Sequence, residues 1–190
     1  MARLIAIAGG MGSGKSIVSQ ILRVMRFKVY DCDKEARALM DRDEEMKSRI
    51  ERMIAADVIL ADRTIDRRRL AEIVFADEMM LATLNGIVHE AVREDIMRWK
   101  QANAGERLLW VESAIIYESG IDRMVDEVWE VTAPVDLRIE RVMARNSMSR
   151  DQVMERIEAQ SRTDFEPHRC VKTIVNDGIA PVLPQVLRLL

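Results

Sequence analysis

The residues Gly9-Gly10-Met11-Gly12-Ser13-Gly14-Lys15-Ser16 carry the most explicit chemistry in the chain, and they follow directly on an apolar run from Leu4 to Ala8. They satisfy G-x-x-x-x-G-K-[ST], the pattern of a phosphate-binding loop. Four glycines in eight residues let successive backbone N–H groups turn inward on a chain of phosphates, with no Cβ in the way. A helix starting at the end of the loop adds its positive end. Lys15 can then reach the β and γ phosphates of a nucleotide as a point charge, and the Ser16 hydroxyl suits a Mg²⁺ ligand. Gly10 to Ser16, with Ile17 just behind, are therefore the candidate nucleotide contacts.

Phosphoryl transfer also needs an activated acceptor, a metal ion and positive charge that follows the charge onto the leaving group. Asp31 and Asp33 stand at the carboxyl end of a second short predicted strand, Lys28-Val29-Tyr30-Asp31. Two apart, they would share a face on a regular strand, although the strand end can already be turning there. One could take a proton from a substrate hydroxyl while the other helps hold water around Mg²⁺. The structural alternative is a turn or a helix cap, where Asp is common. Glu112 closes a third apolar run and resembles the acidic group that holds Mg²⁺ in such enzymes; a capping glutamate is the alternative. Arg138, Arg141 and Arg145 are spaced by three and four, so they line one face of a helix. Such a stripe can close over a triphosphate as a lid, with Arg141 or Arg145 touching nucleotide, or can be a solvated face paired with neighbouring glutamates. His89 and His168 have no metal-ligand company in the sequence.

The elements that must position these groups follow from hydrophobic spacing. Leu4 to Ala8 is short and unbroken, as expected of a parallel strand covered on both faces. Ile17, Val18, Ile21, Leu22 and Met25 recur at helical spacing, predicting a helix that ends near Arg26. Further strands are predicted at Lys28–Asp31, Leu108–Val111, Val128–Val131 and Lys172–Val175. Residues 34–104 read as a mostly helical insertion with a turn at Asp62-Arg63-Thr64. Residues 137–162 read as a charged helical lid interrupted near Asn146, and a last helix is predicted from Val182. The expected fold is α/β, a three-layer P-loop kinase-like domain with a five-stranded parallel sheet, with its core at residues 1–33, 105–136 and 163–190.

Composition narrows the function classes. At 190 residues the chain suits one α/β core with an inserted subdomain. A net charge of −3 leaves no basic excess for a general nucleic-acid binder. Two cysteines make neither a disulfide framework nor a metal motif, so a reducing, cytoplasmic setting is expected, with no leader and no membrane span. The thirteen methionines are expected mainly as core filling. Oligomeric state is left as a monomer or a small homo-oligomer.

In its ordered motifs the chain resembles the dephospho-coenzyme A kinases over nearly its whole length. The loop matches G-G-x-G-S-G-K-S, and Asp31-Cys32-Asp33-Lys34-Glu35-Ala36-Arg37 matches D-x-D-x-x-A-R. Arg67-Arg68-Arg69-Leu70 with Val74-Phe75, Leu84-Asn85 with His89, Ala114-Ile115-Ile116-Tyr117-Glu118 and Asn176-Asp177-Gly178 follow in the family's order. The sequence departs from the pattern at Ile17, Glu90, Ala114 and Asn146. The resemblance implies transfer of the ATP γ-phosphate to the ribose 3′-hydroxyl of dephospho-CoA. It implies Asp33 as the base, Lys15 and Arg141 as catalytic cations, and Ser16 with Glu112 at Mg²⁺. Arg145 and Asn176 would serve the nucleotide, while Asp31, Arg37, Arg67 and His89 would serve the CoA moiety. Another small-molecule or nucleoside kinase on the same fold is the alternative. A non-catalytic NTP-binding switch is a further one, although no N-K-x-D run for guanine recognition is present.

Overall fold

Strand β1 (Arg3–Ala8) is buried along all but its first residue, which requires cover on both faces of the sheet it belongs to. A computed structural model of the chain, describing residues 2–146, 148–161 and 166–190, supplies that cover. From the amino end, β1 is followed by α1 (Lys15–Val24), β2 (Lys28–Asp31), α2 (Cys32–Arg42), α3 (Glu44–Met53), α4 (Arg67–Ala76) and α5 (Glu78–Ala102). Then come β3 (Leu108–Glu112), β4 (Glu127–Thr132), α6 (Val135–Asn146), α7 (Arg150–Ser161), β5 (Val171–Val175) and α8 (Val182–Leu189). The five strands run parallel in the order β2-β3-β1-β4-β5. This is the α/β architecture expected from the alternation of strands and helices. Residue 162, where the expected lid ends, lies outside the described residues.

By backbone proximity the chain divides into two compact units, Met1–Asp31 with Asn103–Leu190, and Cys32–Ala102. The first holds the sheet. One face of it packs Ile5, Ile7, Trp110, Trp129, Val131 and Ile174 against Val18 and Leu22 of α1 and Val186 of α8. Alternation along β1, β3 and β4 puts these side chains on a common face. Trp110 and Trp129 meet edge to face with centroids 4.4 Å apart at 69°, an arrangement worth about 0.5–1.5 kcal/mol beyond the area it buries. A second cluster joins Ile139 and Val142 of α6 to Val153 and Ile157 of α7. Met11 of the glycine loop packs on it, so α6 and α7 form a hairpin rooted on the loop.

The second unit is mostly helical, and the stretch between α3 and α4 includes an isolated antiparallel bridge, Ile59–Ile65. Asp43 caps α3 by accepting from Met46 N–H at 3.0 Å, and Asp66 caps α4 by accepting from Arg69 N–H at 2.9 Å. The turn expected at Asp62-Arg63-Thr64 is present, with Arg63 in the left-handed region at φ 65 and Asp62 accepting from the Thr64 amide and hydroxyl. Arg49–Glu90 at 2.7 Å ties α3 to α5.

Two local expectations change. Helix α2 begins at Cys32, immediately after Asp31, so Asp31 ends a strand while Asp33 lies in the first turn of a helix, and no regular strand carries them both. The methionines divide: Met46 is buried, and Met11, Met148 and Met154 back the α6–α7 cluster, but Met53, Met79 and Met97 are exposed. Core filling describes only part of the set.

Candidate active site

The glycine loop runs from the carboxyl end of β1 to the first residue of α1. Gly14 stands at the amino end of α1 with φ 99, and no side chain caps the helix there. Uncapped first-turn N–H groups and the helix dipole together favour an anion at this point. Only glycine fits Gly14: its φ is strained for any L side chain, and an added Cβ would fall on the Asn176 amide nitrogen. Lys15 curls back along the loop and donates through Nζ to the carbonyls of Gly9 at 2.7 Å and Gly10 at 3.3 Å. Ser16 is exposed at the start of α1, as is Ile17 behind it, whereas Ser13 is buried and its Oγ has no hydrogen-bond partner among the described residues.

Asn176, just past β5, is the brace of this loop. Its Nδ2 donates to the Ser13 carbonyl at 2.8 Å and its own N–H donates to Thr132 O at 2.8 Å. Its carbonyl and Oδ1 accept from Arg141 at 3.0 and 3.4 Å. The Asn176 side chain is thus committed to the loop and to α6. Arg145, seven residues after Arg138 on the same face, is exposed and donates to Asn146 Oδ1 at 3.0 Å. Arg138 is the arginine of the stripe that meets the loop backbone, its Nε donating to Met11 O at 2.8 Å.

At the carboxyl ends of β2 and β3, Asp31 pairs in register with Glu112. Both are half-buried. A Mg²⁺ ion is hard and takes oxygen ligands, commonly one or two carboxylates with waters and substrate phosphates. An aligned aspartate and glutamate, with the Ser16 hydroxyl at the loop's end, fit that donor chemistry. Among the described residues no group of three or more His, Cys, Asp or Glu forms a self-sufficient cage, which such an ion does not require.

Sequence reasoning passed over Glu130. It lies on β4 beside Ala8, and Lys15 is the cation acting on it. Burial pushes the Glu130 carboxyl above its ordinary range, and the Lys15 ammonium pulls it partly back. An acidic residue inside the otherwise apolar run Val128 to Val131 was the available signal.

In the helical unit, Asp33 is exposed in the first turn of α2. Arg37 and Arg67 come together there: Arg67 Nη2 donates to Asp41 at 2.7 Å and lies 3.5 Å from the Arg37 carbonyl. His89 on α5 is half-buried, and burial, followed by the nearby charge of Arg93, lowers its pKa. No hydrogen bond or ion pair among the described residues joins it to the Arg37–Arg67 pair.

Among families of known proteins, the model described as dephospho-CoA kinase, CoaE, matches residues 3–181. A dephospho-CoA kinase of Bacteroides fragilis is 35% identical over 190 residues, spanning 100% of this chain and 92% of that protein. Among solved structures, one from Thermus thermophilus superposes with a TM-score of 0.77 at 31% identity, covering 99% of this chain and 95% of the other. The dephospho-CoA kinase from Campylobacter jejuni has a TM-score of 0.66 at 22% identity over 100% and 96% of the two chains, a likeness of fold.

Proposed function

This chain belongs to the dephospho-CoA kinase family, and we propose that it transfers the γ-phosphoryl group of ATP to the ribose 3′-hydroxyl of dephospho-CoA, giving CoA and ADP. The observation that carries the proposal is the phosphate-binding loop with two basic side chains, Lys15 and Arg138, bonded to its backbone, in a chain matched to that family almost from end to end.

Each group has a stated part. The loop amides and the amino end of α1 hold the phosphate chain, and Lys15 leaves its carbonyl partners to meet the β and γ oxygens. Arg141, held by Asn176, supplies positive charge beside the loop. Ser16 and Glu112, with Asp31 beside Glu112, would hold Mg²⁺, which when bound offsets charge on the phosphates. Asp33 accepts the proton of the attacking 3′-hydroxyl as its oxygen bonds to the γ-phosphorus and the bond from that phosphorus to the β-phosphate oxygen breaks. In the helical unit, Arg37, Arg67 and His89 are assigned to the CoA moiety. The proposed setting is the cytoplasm; no helix among the described residues is long and apolar enough to cross a membrane.

Purified protein with ATP, Mg²⁺ and dephospho-CoA should release ADP in a coupled assay and form CoA. Absence of ADP release on adding dephospho-CoA would reject the assignment. Turnover with a nucleoside or another small alcohol in its place would favour the second kinase reading.

A further inference from the structure

Building on the kinase reading above, we propose that Arg138 is a ligand of the nucleotide γ-phosphate, a cation of the site additional to Lys15 and Arg141. Arg138 is the fourth residue of α6, and its Nε donates to the Met11 carbonyl at 2.8 Å. That bond leaves the two Nη groups of the fork to face other acceptors. A Cβ added to Gly10 would fall on Nη2 and Cζ of Arg138, so the absence of a side chain at Gly10 is what lets the guanidinium lie against the loop backbone. Lys15 arrives at the same residue, its Nζ 3.3 Å from Gly10 O. Two cations of different shape therefore converge on one turn of a phosphate-binding loop.

The charge on Arg138 is not answered by any described residue. Among the described residues it forms no ion pair, and its one side-chain hydrogen bond is to a neutral carbonyl. It is half-buried, and burial alone pushes its pKa below the usual arginine value, with no carboxylate acting to restore it. Removing a cation from water without a counter-charge costs free energy, and an arriving anion returns it. Gly10 lies at the start of the loop, ahead of the amino end of α1, and the cation there is assigned to the γ-phosphate, the group that distinguishes ATP from ADP. The planar fork can hold two oxygens of one phosphate through two parallel N–H bonds, a fixed geometry that the point charge of a lysine lacks. A guanidinium that only stapled α6 to the loop would make the same bond to Met11 but would not discriminate between nucleotides.

Calorimetric titration of the full chain with ADP and with a non-hydrolysable ATP analogue separates the two roles. Arg138→Gln should weaken the ATP analogue on the order of 10- to 100-fold and ADP by less than about threefold, and Arg138→Lys should recover part of the loss. Equal losses for both nucleotides, or no loss for either, overturn the proposal. If the wild-type chain shows this pattern with its variants yet does not phosphorylate dephospho-CoA, the assigned reaction fails and the role of Arg138 stands. If it binds neither nucleotide, both fall.

Discussion

At the scale of single residues, the proposed chemistry depends on one proton acceptor. Asp33 is exposed in the first turn of α2, two residues beyond the end of β2, where a carboxylate can meet a substrate hydroxyl without displacing any core packing. Asparagine keeps its size and shape and loses only the ability to take the proton. Asp33→Asn should therefore lower kcat by on the order of 10² or more, with ATP affinity retained. Stopped-flow or coupled assays beside calorimetric ATP titration would measure both quantities, and near-normal turnover would remove Asp33 from the role. Asn176 works differently. Every polar atom of its side chain is occupied by Ser13 or Arg141, so its contribution is to hold the loop in shape for groups that do the chemistry.

Elements decide which side chains arrive where. Strand β4 brings Glu127 into the sheet at its amino end, with its side chain almost wholly buried, where it accepts from Arg3, Lys172 and the Trp129 indole. Burial acts to raise the Glu127 pKa, but the hydrogen bonds from Lys172, Trp129 and Arg3 outweigh it and the net shift is downward. A folded-state pKa below the unfolded one stabilises the fold above the ordinary glutamate value of about 4.3, and that contribution is lost as pH falls through the folded value. Glu127→Gln should cost about 1–3 kcal/mol at neutral pH in urea unfolding, and the gap to wild type should narrow as pH drops below about 4. A gap that stays constant with pH would show that the charge contributes nothing. The same scale explains what could be read in advance. Strand β1, the loop and α1 were legible because an unbroken apolar run, a fixed glycine spacing and a 3.6-residue period are local signals. The arginine stripe was legible as one face of a helix, but not the choice among its members. Arg138 and Arg145 lie about 10 Å apart along the axis, and which of them meets the loop depends on where α6 lands, a matter of packing by Met11, Ile139 and Val142. Asn176 as a brace was hidden for the same reason: its partners are Ser13 and Arg141, remote in sequence.

For the whole molecule, the division into two units separates the proposed substrates along the chain. The glycine loop, α6 and Asn176 belong to the unit of residues 1–31 and 103–190, while Asp33, Arg37, Arg67 and His89 belong to residues 32–102. The break falls between Asp31 and Cys32, so the proposed base is carried by the unit assigned to the acceptor, not by the one that holds the nucleotide. A ligand protects amide hydrogens where it suppresses local opening, and protection follows the segments it contacts. Hydrogen exchange should then show ATP slowing exchange in residues 9–17 and the first turns of α6, with little change in α4 and α5. Dephospho-CoA added alone should protect α2, α4 and α5 instead, reaching Asp33 at the start of α2. Protection by dephospho-CoA confined to the glycine loop would remove the helical unit from acceptor binding and would leave Asp33 without the company its role requires.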